Sequence, residues 1–224
     1  ATDGSLDLAS LARTVHIGEL GLDGRLRPVA GVLPAVLAAA RAGVTHAIVP
    51  HANQDEARLV SGMHVVGAVT LGDVALWHGA DLEPSELDPV PAPAAPPTRP
   101  FAGDLADVIG QHEAVEALVA AAAGGHHILM CGPPGAGKTM LASRLPGILP
   151  DLDDEAALEV SSIRSLSGIG VEGLVREPPF ESPHHSATVA ALVGGGSRVV
   201  RPGAIARATN GVLFLDESKD QEYN

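Results

Sequence analysis

The chain has 224 residues, 46% of them apolar, and a mean hydropathy of +0.21, so it carries enough apolar surface for one large or two small cores. Its formal charge of −13 excludes general attraction to nucleic acid or anionic lipid, and one Trp, one Tyr and three Phe are too few for a base-stacking platform. Prolines and Arg41 interrupt the apolar stretch 28–44, which excludes a membrane span there, and a single cysteine excludes an internal disulfide framework and fits a reducing cytoplasm.

The first 88 residues predict a small α/β domain. "VHIGEL" (15–20) and "RLRPVAG" (25–31) flank an Asp23-Gly24 pair, which is a strong β-hairpin signal. Helical and strand patterns then alternate along the chain. We predict, in order, a helix over 34–43, a strand over 46–50, a helix over 54–62, a strand over 63–69 and a helix over 71–79.

A proline-rich segment follows this domain. "PVPAPAAPPTRP" (89–100) has six prolines in twelve residues, a composition that excludes a helix interior or a sheet ladder. We interpret it as a linker, which in polyproline II form would reach about 37 Å at about 3.1 Å per residue.

Residues 101–217 predict a second α/β domain. A helix is predicted over 107–125, followed by a buried strand over "HHILMC" (126–131), in which Cys131 is expected to be a small buried residue rather than a reactive thiol. The remaining predictions are a helix that Pro146 ends near Leu145, an acidic-headed helix over 151–166, loops or short hairpins over 167–210, and a buried strand over "GVLFLDE" (211–217). A strand, a glycine-rich loop, a helix and a distant strand ending in acid are typical of a parallel P-loop sheet.

The segment "GPPGAGKT" (132–139) matches the phosphate-loop pattern G-x-x-x-x-G-K-[ST] between the predicted strand and the next helix. Its glycines allow successive amide N–H groups to face a phosphate, and the helix N-terminus adds partial positive charge. We expect Lys138 to reach the β- and γ-phosphate oxygens and Thr139 to place its hydroxyl on Mg²⁺. The predicted ATP-binding residues are Gly132, Pro133, Pro134, Gly135, Ala136, Gly137, Lys138 and Thr139.

Two acidic residues end the last predicted strand. Asp216 is expected in the Mg²⁺ shell, and Glu217 is expected to polarise an attacking water. Alone, an apolar strand ending in Asp-Glu is a common way for a strand to reach solvent, but it follows Lys138 at a distance suited to the partner strand of a phosphate loop.

Other polar clusters carry weaker signals. The histidine pairs at 126–127 and 183–186 lack the spacing of a metal site, so we expect no dedicated metal centre there. The glycine-rich segment 191–207 contains Arg198, Arg201 and Arg207, and it either presents a loop to a substrate or is a solvated loop with scattered charge.

With these motifs together, the chain resembles the Mg-chelatase-like AAA+ ATPases of the YifB/ComM group up to about Glu217. The resemblance is carried by "GELGLDGRLRPVAGVLPAVLAAARAG", by "DVIGQHEAVEALVAAAAGGHHILMCGPPGAGKTMLASRLPGILP", by "PFESPHHSATVAALVGGG" and by "NGVLFLDE". It implies an incomplete AAA+ parallel-sheet core over 101–217 preceded by a partial Lon/S5-like domain over 1–88. It also implies ATP and Mg²⁺ as cofactors, a homo-hexamer, an insert over 180–207 facing the ring pore, and, in ComM-like members, DNA branch migration.

The chain also departs from the family pattern. In the stretch that matches the segment bearing the Lon catalytic lysine, Leu33 and Ala35 stand at the candidate positions, so protease activity is not expected. Glu181 replaces the usual arginine before "PHHS", and Ala204 and Thr209 replace the usual Glu and His, which puts substrate contacts by the insert in doubt.

Three functional hypotheses follow. The first is an ATP-binding piece of a YifB/ComM-like motor, truncated at both ends, that has little turnover alone because the arginine finger and lid lie outside it. The second is a Mg-chelatase-type subunit that drives Mg²⁺ insertion into a tetrapyrrole. The third is an inactive truncated product, which the atypical tail "SKDQEYN" (218–224) would fit.

Overall fold

The computed structural model describes residues 6–92, 103–184, 186–196 and 200–216. The chain divides into two compact units, one formed by 1–96 with 161–174 and the other by 97–160 with 175–224. The predicted linker falls largely outside the described residues, as do Glu217, Arg198 and the tail 218–224.

The first unit is built on a parallel three-stranded sheet. Strand β4 lies between β1 and β5, and the short strands β2 and β3 form an antiparallel hairpin around Asp23-Gly24, as predicted. The elements are α1 Leu8–Ala12, β1 Thr14–His16, β2 Glu19–Leu20, β3 Leu26–Arg27, α2 Val32–Arg41, β4 His46–Pro50, a 3₁₀ turn His51–Asn53, α3 Gln54–Ala57, β5 His64–Ala68 and α4 Leu71–Trp77.

The helices and strands predicted from residue 34 onwards are confirmed in kind and order, whereas α1 was not predicted and the stretch 15–20 divides between β1 and the short strand β2. The helix predicted over 54–62 covers only Gln54–Ala57. The core of this unit includes residues of α2 and β4: Leu33 and Val49 are fully buried and Ile48 is 2% exposed. Helix α4 begins at a capping box in which Thr70 accepts from the Asp73 amide and Asp73 accepts from the Thr70 amide.

A buried polar network holds the first turn of α2 to the segment after β4. The Asn53 side chain accepts from the Val29 amide and donates to the Val29 carbonyl, both at 3.0 Å, and donates to Glu56 at 3.2 Å. Glu56 in turn accepts from the Leu33 amide at 3.2 Å. These bonds compensate the burial of an amide and a carboxylate that are each 7% exposed.

The second unit contains more helix and less sheet. Its elements are a 3₁₀ turn Leu105–Asp107, α5 His112–Gly124, α6 Lys138–Ala142, a 3₁₀ turn Leu145–Ile148, α7 Asp154–Leu166, β6 Phe180–Glu181, α8 Val189–Val193, β7 Gly194–Gly195, β8 Arg201–Pro202, α9 Ala204–Arg207 and β9 Val212–Leu213. Helix α7 begins in this unit and ends in residues of the first. Strand β6 pairs with β9 in parallel, and β7 with β8 antiparallel. The range 167–210, predicted to form loops or short hairpins, therefore contains an antiparallel strand pair as expected, but the helices α8 and α9 correct the rest of that prediction.

Two predicted strands of this unit need correction. Residues 126–131 form no strand, and within the described residues no segment pairs with them. Ile128 and Met130 pack on the core of Leu105, Leu118 and Leu141, whereas Leu129 is 87% exposed. Covered and exposed side chains therefore alternate along this segment, so the prediction of a fully buried strand was wrong.

The predictions for the single cysteine and for the last strand also need correction. Cys131 is exposed, so it is not the buried residue we expected. The strand predicted over 211–217 is reduced to Val212–Leu213, and Leu215 beyond it is 59% exposed. A strand needs a hydrogen-bonded neighbour along its length, and among the described residues β9 has only the two-residue β6.

Two histidines of the first unit share one hydrogen bond. His78, 1% exposed, lies with its Nε2 2.8 Å from the Nε2 of His16, and its Nδ1 is 2.9 Å from the Ser10 hydroxyl. One Nε2 must donate and the other accept, so the pair is not compatible with two charged rings. Burial lowers the pKa of both, the neighbouring His78 lowers that of His16 further, and Asp7 opposes the shift at His78.

We therefore predict that the first unit loses stability as the pH falls. With both pKa values below the unfolded value of about 6.5, the unfolded chain binds more protons than the folded one as the pH drops from 7.5 towards 5.5. Urea unfolding followed by the fluorescence of Trp77 measures this, because Trp77 is the single tryptophan and lies in α4. His16→Gln should reduce the pH slope, whereas the exposed control His51→Gln should keep it. An unchanged slope in His16→Gln would contradict the prediction.

Candidate phosphate-binding site

The predicted phosphate loop connects the extended segment 126–131 to α6. Gly135 and Gly137 take left-handed backbone conformations, with φ of 81° and 83°. A residue with a side chain would be strained at either position, which explains the glycine that the pattern requires at 137. The loop closes through a hydrogen bond from the Ala136 amide to the Pro133 carbonyl at 3.2 Å.

Several amides of the loop are left without an acceptor. Within the described part of the chain, the N–H groups of Gly135 and of residues 137–140 make no hydrogen bond, and the first amide bonded inside α6 is that of Leu141, to Gly137. Unpaired amides this close in sequence are suited to hold an anion rich in oxygen acceptors.

Lys138 folds back over its own loop. Its Nζ donates to the Gly132 carbonyl at 2.7 Å and to the Pro133 carbonyl at 3.1 Å. The ammonium group is thereby held above the loop by two neutral acceptors, and its side chain is not paired with a carboxylate in the described residues.

The structure brings Thr139 and Asp216 together across a separation of 77 residues. The Thr139 hydroxyl donates to Asp216 Oδ2 at 3.1 Å. The predicted contact between the loop and the end of the last strand is therefore present, although only two residues of that strand are paired. Glu217 lies outside the described residues, so its position is not part of this geometry.

Sequence reasoning missed Gln111. The helix predicted from 107 begins only at His112, and Gln111 precedes it in a left-handed conformation, with φ of 52°. Its side-chain amide donates to the Ala136 carbonyl of the loop at 3.3 Å. The Gly110-Gln111 pair was the available signal, since a glycine and a polar residue commonly precede a helix.

A mainly apolar cavity of about 240 Å³ lies beside the loop. Helix α5 contributes Leu118, the extended segment contributes Ile128 and Met130, and Lys138 and Gln111 reach its rim. The cavity therefore adjoins the loop rather than replacing it, and its walls are suited to an uncharged, flat group.

Within the described part of the predicted insert, Arg207 is paired with a carboxylate. Arg207 forms a bidentate ion pair with Glu181, with Nε–Oε1 of 3.0 Å and Nη2–Oε2 of 2.9 Å, and donates from Nη1 to the Pro202 carbonyl. The Glu181 carboxylate raises the pKa of Arg207. The alternative interpretation, a solvated loop with scattered charge, does not describe Arg207 either, because it is half-buried and ends α9, whereas Arg201 is exposed.

The described residues contain neither a metal-ligand cluster nor a membrane-spanning helix. No group of three or more His, Cys, Asp or Glu is placed to hold a metal ion within those residues. Over the same residues, no helix has the length and apolar character needed to cross a bilayer.

Family models match both parts of the chain. The model "Magnesium chelatase, subunit ChlI" matches residues 104–224, and "Subunit ChlI of Mg-chelatase" matches residues 3–53. The chain therefore belongs to the class of proteins related to the magnesium chelatase subunit ChlI. Within it, the chain belongs to the Mg-chelatase-like family that includes YifB and ComM.

Curated relatives extend this result. The chain is 53% identical over 210 residues to an uncharacterised protein of Mycobacterium tuberculosis H37Rv, covering 92% of this chain and 41% of the relative. It is 44% identical to the competence protein ComM of Haemophilus influenzae, covering 99% of this chain and 44% of ComM, and 45% identical to YifB of Escherichia coli, covering 92% and 40%. The chain thus spans about two fifths of the length of these relatives.

We predict that the Arg207–Glu181 pair stabilises the 180–213 segment. A double-mutant cycle of Arg207→Ala and Glu181→Gln should give a coupling energy of about 1–2 kcal/mol, because the pair is bidentate and half-buried. The exposed pair Arg176–Asp154 is the matched control and should give about 0.5 kcal/mol or less. Chemical unfolding read by hydrogen exchange of peptides from 200–213 measures both, and equal coupling energies would refute the prediction.

Proposed function

We propose that this chain binds a nucleoside triphosphate together with Mg²⁺ through residues 132–139 and Asp216. The observation that carries the proposal is the 3.1 Å contact between the Thr139 hydroxyl and the Asp216 carboxylate, directly beside the run of unpaired amides. Amides, an ammonium and a hydroxyl–carboxylate pair supply the three kinds of contact that a metal-bound triphosphate needs.

Lys138 supplies the charged donor in this proposal. Its ammonium is held by two neutral carbonyl oxygens, whereas a phosphate oxygen adds the attraction of a negative charge to the same kind of hydrogen bond. Phosphate oxygens entering the loop would therefore outcompete Gly132 and Pro133 for Nζ. The Lys138 side chain could turn towards a phosphate without a change in α6, because Lys138 is the first residue of that helix.

The residues present fit a magnesium ion. Mg²⁺ holds oxygen ligands at 2.0–2.1 Å in an octahedron, so two adjacent ligands lie about 2.9 Å apart. The Thr139 and Asp216 oxygens are 3.1 Å apart, close to this spacing. When bound, the ion would neutralise phosphate charge. Glu217, the residue after Asp216, is proposed to orient a water for hydrolysis.

For the whole protein we propose an ATP-driven AAA+ ring that acts on DNA, with nucleotide at the subunit interfaces. The 44% identity to a competence protein supports this proposal over tetrapyrrole chelation. The DNA contact would be local, because the chain carries a charge of −13 and Arg207 is occupied by Glu181. Binding of the chain to labelled branched DNA and to protoporphyrin, compared side by side, distinguishes the two proposals, and an inert chain would bind neither these nor ATP.

We predict that Lys138→Ala weakens ATP binding about tenfold to a hundredfold, because it removes one hydrogen bond between charged groups. Equilibrium titration with fluorescent ATP in the presence of Mg²⁺ measures the affinity. Arg144→Ala is the control: its guanidinium donates to the Asp104 and Met140 carbonyls, so it removes a nearby cation that is not part of the loop. Equal, negligible binding by the wild type and Lys138→Ala would support the inactive product instead.

A second prediction concerns the metal. Thr139→Ala should raise the Mg²⁺ concentration needed for half-maximal ATP binding by about tenfold, since one oxygen ligand is lost. Ser143→Ala is the matched control, because Ser143 is one turn further along and donates to the Met140 carbonyl. The measurement is ATP affinity as a function of Mg²⁺ concentration. An identical Mg²⁺ dependence in both variants would remove Thr139 from the proposed metal site.

A further inference from the structure

Gln111 has an unusual backbone conformation for its residue type. In the described part of the chain, only Gln111 and Asn210 combine a side chain with a positive φ. Gly110 before it is also left-handed, with φ of 74°. Side chains are uncommon in this region of conformation, so an observed case points to a local constraint.

The side chain of Gln111 makes a contact that explains this constraint. Its Nε2 donates to the Ala136 carbonyl at 3.3 Å, across 25 residues of sequence. The same nitrogen lies 3.1 Å from the point where a Cβ on Gly137 would stand. The amide of Gln111 therefore packs directly against the peptide group that joins Ala136 to Gly137.

A hydrogen bond that fixes the Ala136 carbonyl also fixes the direction of the Gly137 N–H. The peptide bond between Ala136 and Gly137 is trans, so its C=O and N–H point in opposite directions. With the Ala136 oxygen turned towards Gln111, the Gly137 N–H is turned away from it. This N–H begins the run of amides over 137–140 that have no acceptor among the described residues.

We infer that Gln111 is a positioning residue that fixes the 136–137 peptide so that the Gly137 amide faces a bound phosphate. The inference rests on the proposed function of the loop. The permissive backbone of Gly137 allows the 136–137 peptide more than one orientation, and among the described residues no backbone hydrogen bond of the loop restrains the Ala136 oxygen. Gln111 supplies that restraint from outside the loop.

The contact contributes little to folding. Helix α5 begins through the backbone bond from Val115 to the Gln111 carbonyl at 3.0 Å, which any residue at 111 can accept. The side-chain bond is exposed, and exposed neutral hydrogen bonds are nearly balanced by water. Substitutions at 111 should therefore alter the loop while leaving the fold intact.

Gln111→Glu tests the inference, since glutamate has the same length but its carboxylate cannot donate to Ala136. Two probes are used, Mg-ATP and inorganic tripolyphosphate, with Gln111→Ala as a second variant and Glu113→Gln on the first turn of α5 as control. We expect affinity for both probes to fall about twofold to tenfold in the two Gln111 variants and to remain unchanged in Glu113→Gln. Circular dichroism and the urea midpoint of each variant should match the wild type.

The outcomes separate the two proposals. If the wild type binds both probes and the Gln111 variants bind them equally well, the inference is overturned and the proposed function stands. If only ATP affinity falls, Gln111 contacts the nucleoside directly, and the positioning role is overturned. If affinity falls only together with the urea midpoint, the role is structural, and if the wild type binds neither probe, both proposals fail.

Discussion

The hydrogen bond between Thr139 and Asp216 is the contact on which the proposed site depends. Asp216 follows β9, whose pairing with β6 spans two residues, so little regular sheet positions this carboxylate. The loop, by contrast, is fixed locally by two left-handed glycines and by the start of α6. One side of the site is therefore set by local backbone chemistry, and the other by a long-range contact that loop closure opposes.

This difference explains why the sequence predicted some elements well. In the first unit, the Asp23-Gly24 turn, Gly43 after α2 and the short apolar runs of β4 and β5 are short-range signals, and each falls in or beside the element that it predicts. The predicted strands 126–131 and 211–217 depended instead on neighbours far along the chain. Apolar content indicated that these segments would be covered, but it does not say by what, and Leu129 and Leu215 are exposed.

The site itself was predicted to a similar extent. A motif names Lys138 and Thr139 because their spacing is fixed by the loop, whereas Asp216 was selected as an acid at a predicted strand end that follows the loop at a suitable distance. Gln111 belongs to no such pattern: its contact joins α5 to the loop across 25 residues and depends on its left-handed backbone. Arg207 shows the converse, since a basic residue in a glycine-rich segment suggested a substrate contact, whereas its charge is satisfied by Glu181 within its own unit.

An acidic chain can bind a highly charged anion only if the attraction is local. Two features meet this requirement, because amide groups attract phosphate without adding net charge, and Lys138 places one of the chain's two lysines at the loop. Asp216 acts in the opposite direction, because its negative carboxylate lies 3.1 Å from the Thr139 hydroxyl, beside the unpaired amides of the loop. A bare triphosphate would be repelled there, whereas a triphosphate carrying a divalent cation converts the same carboxylate into a ligand. Under the proposed function, the placement of Asp216 would favour the metal-bound form of the nucleotide over the free form.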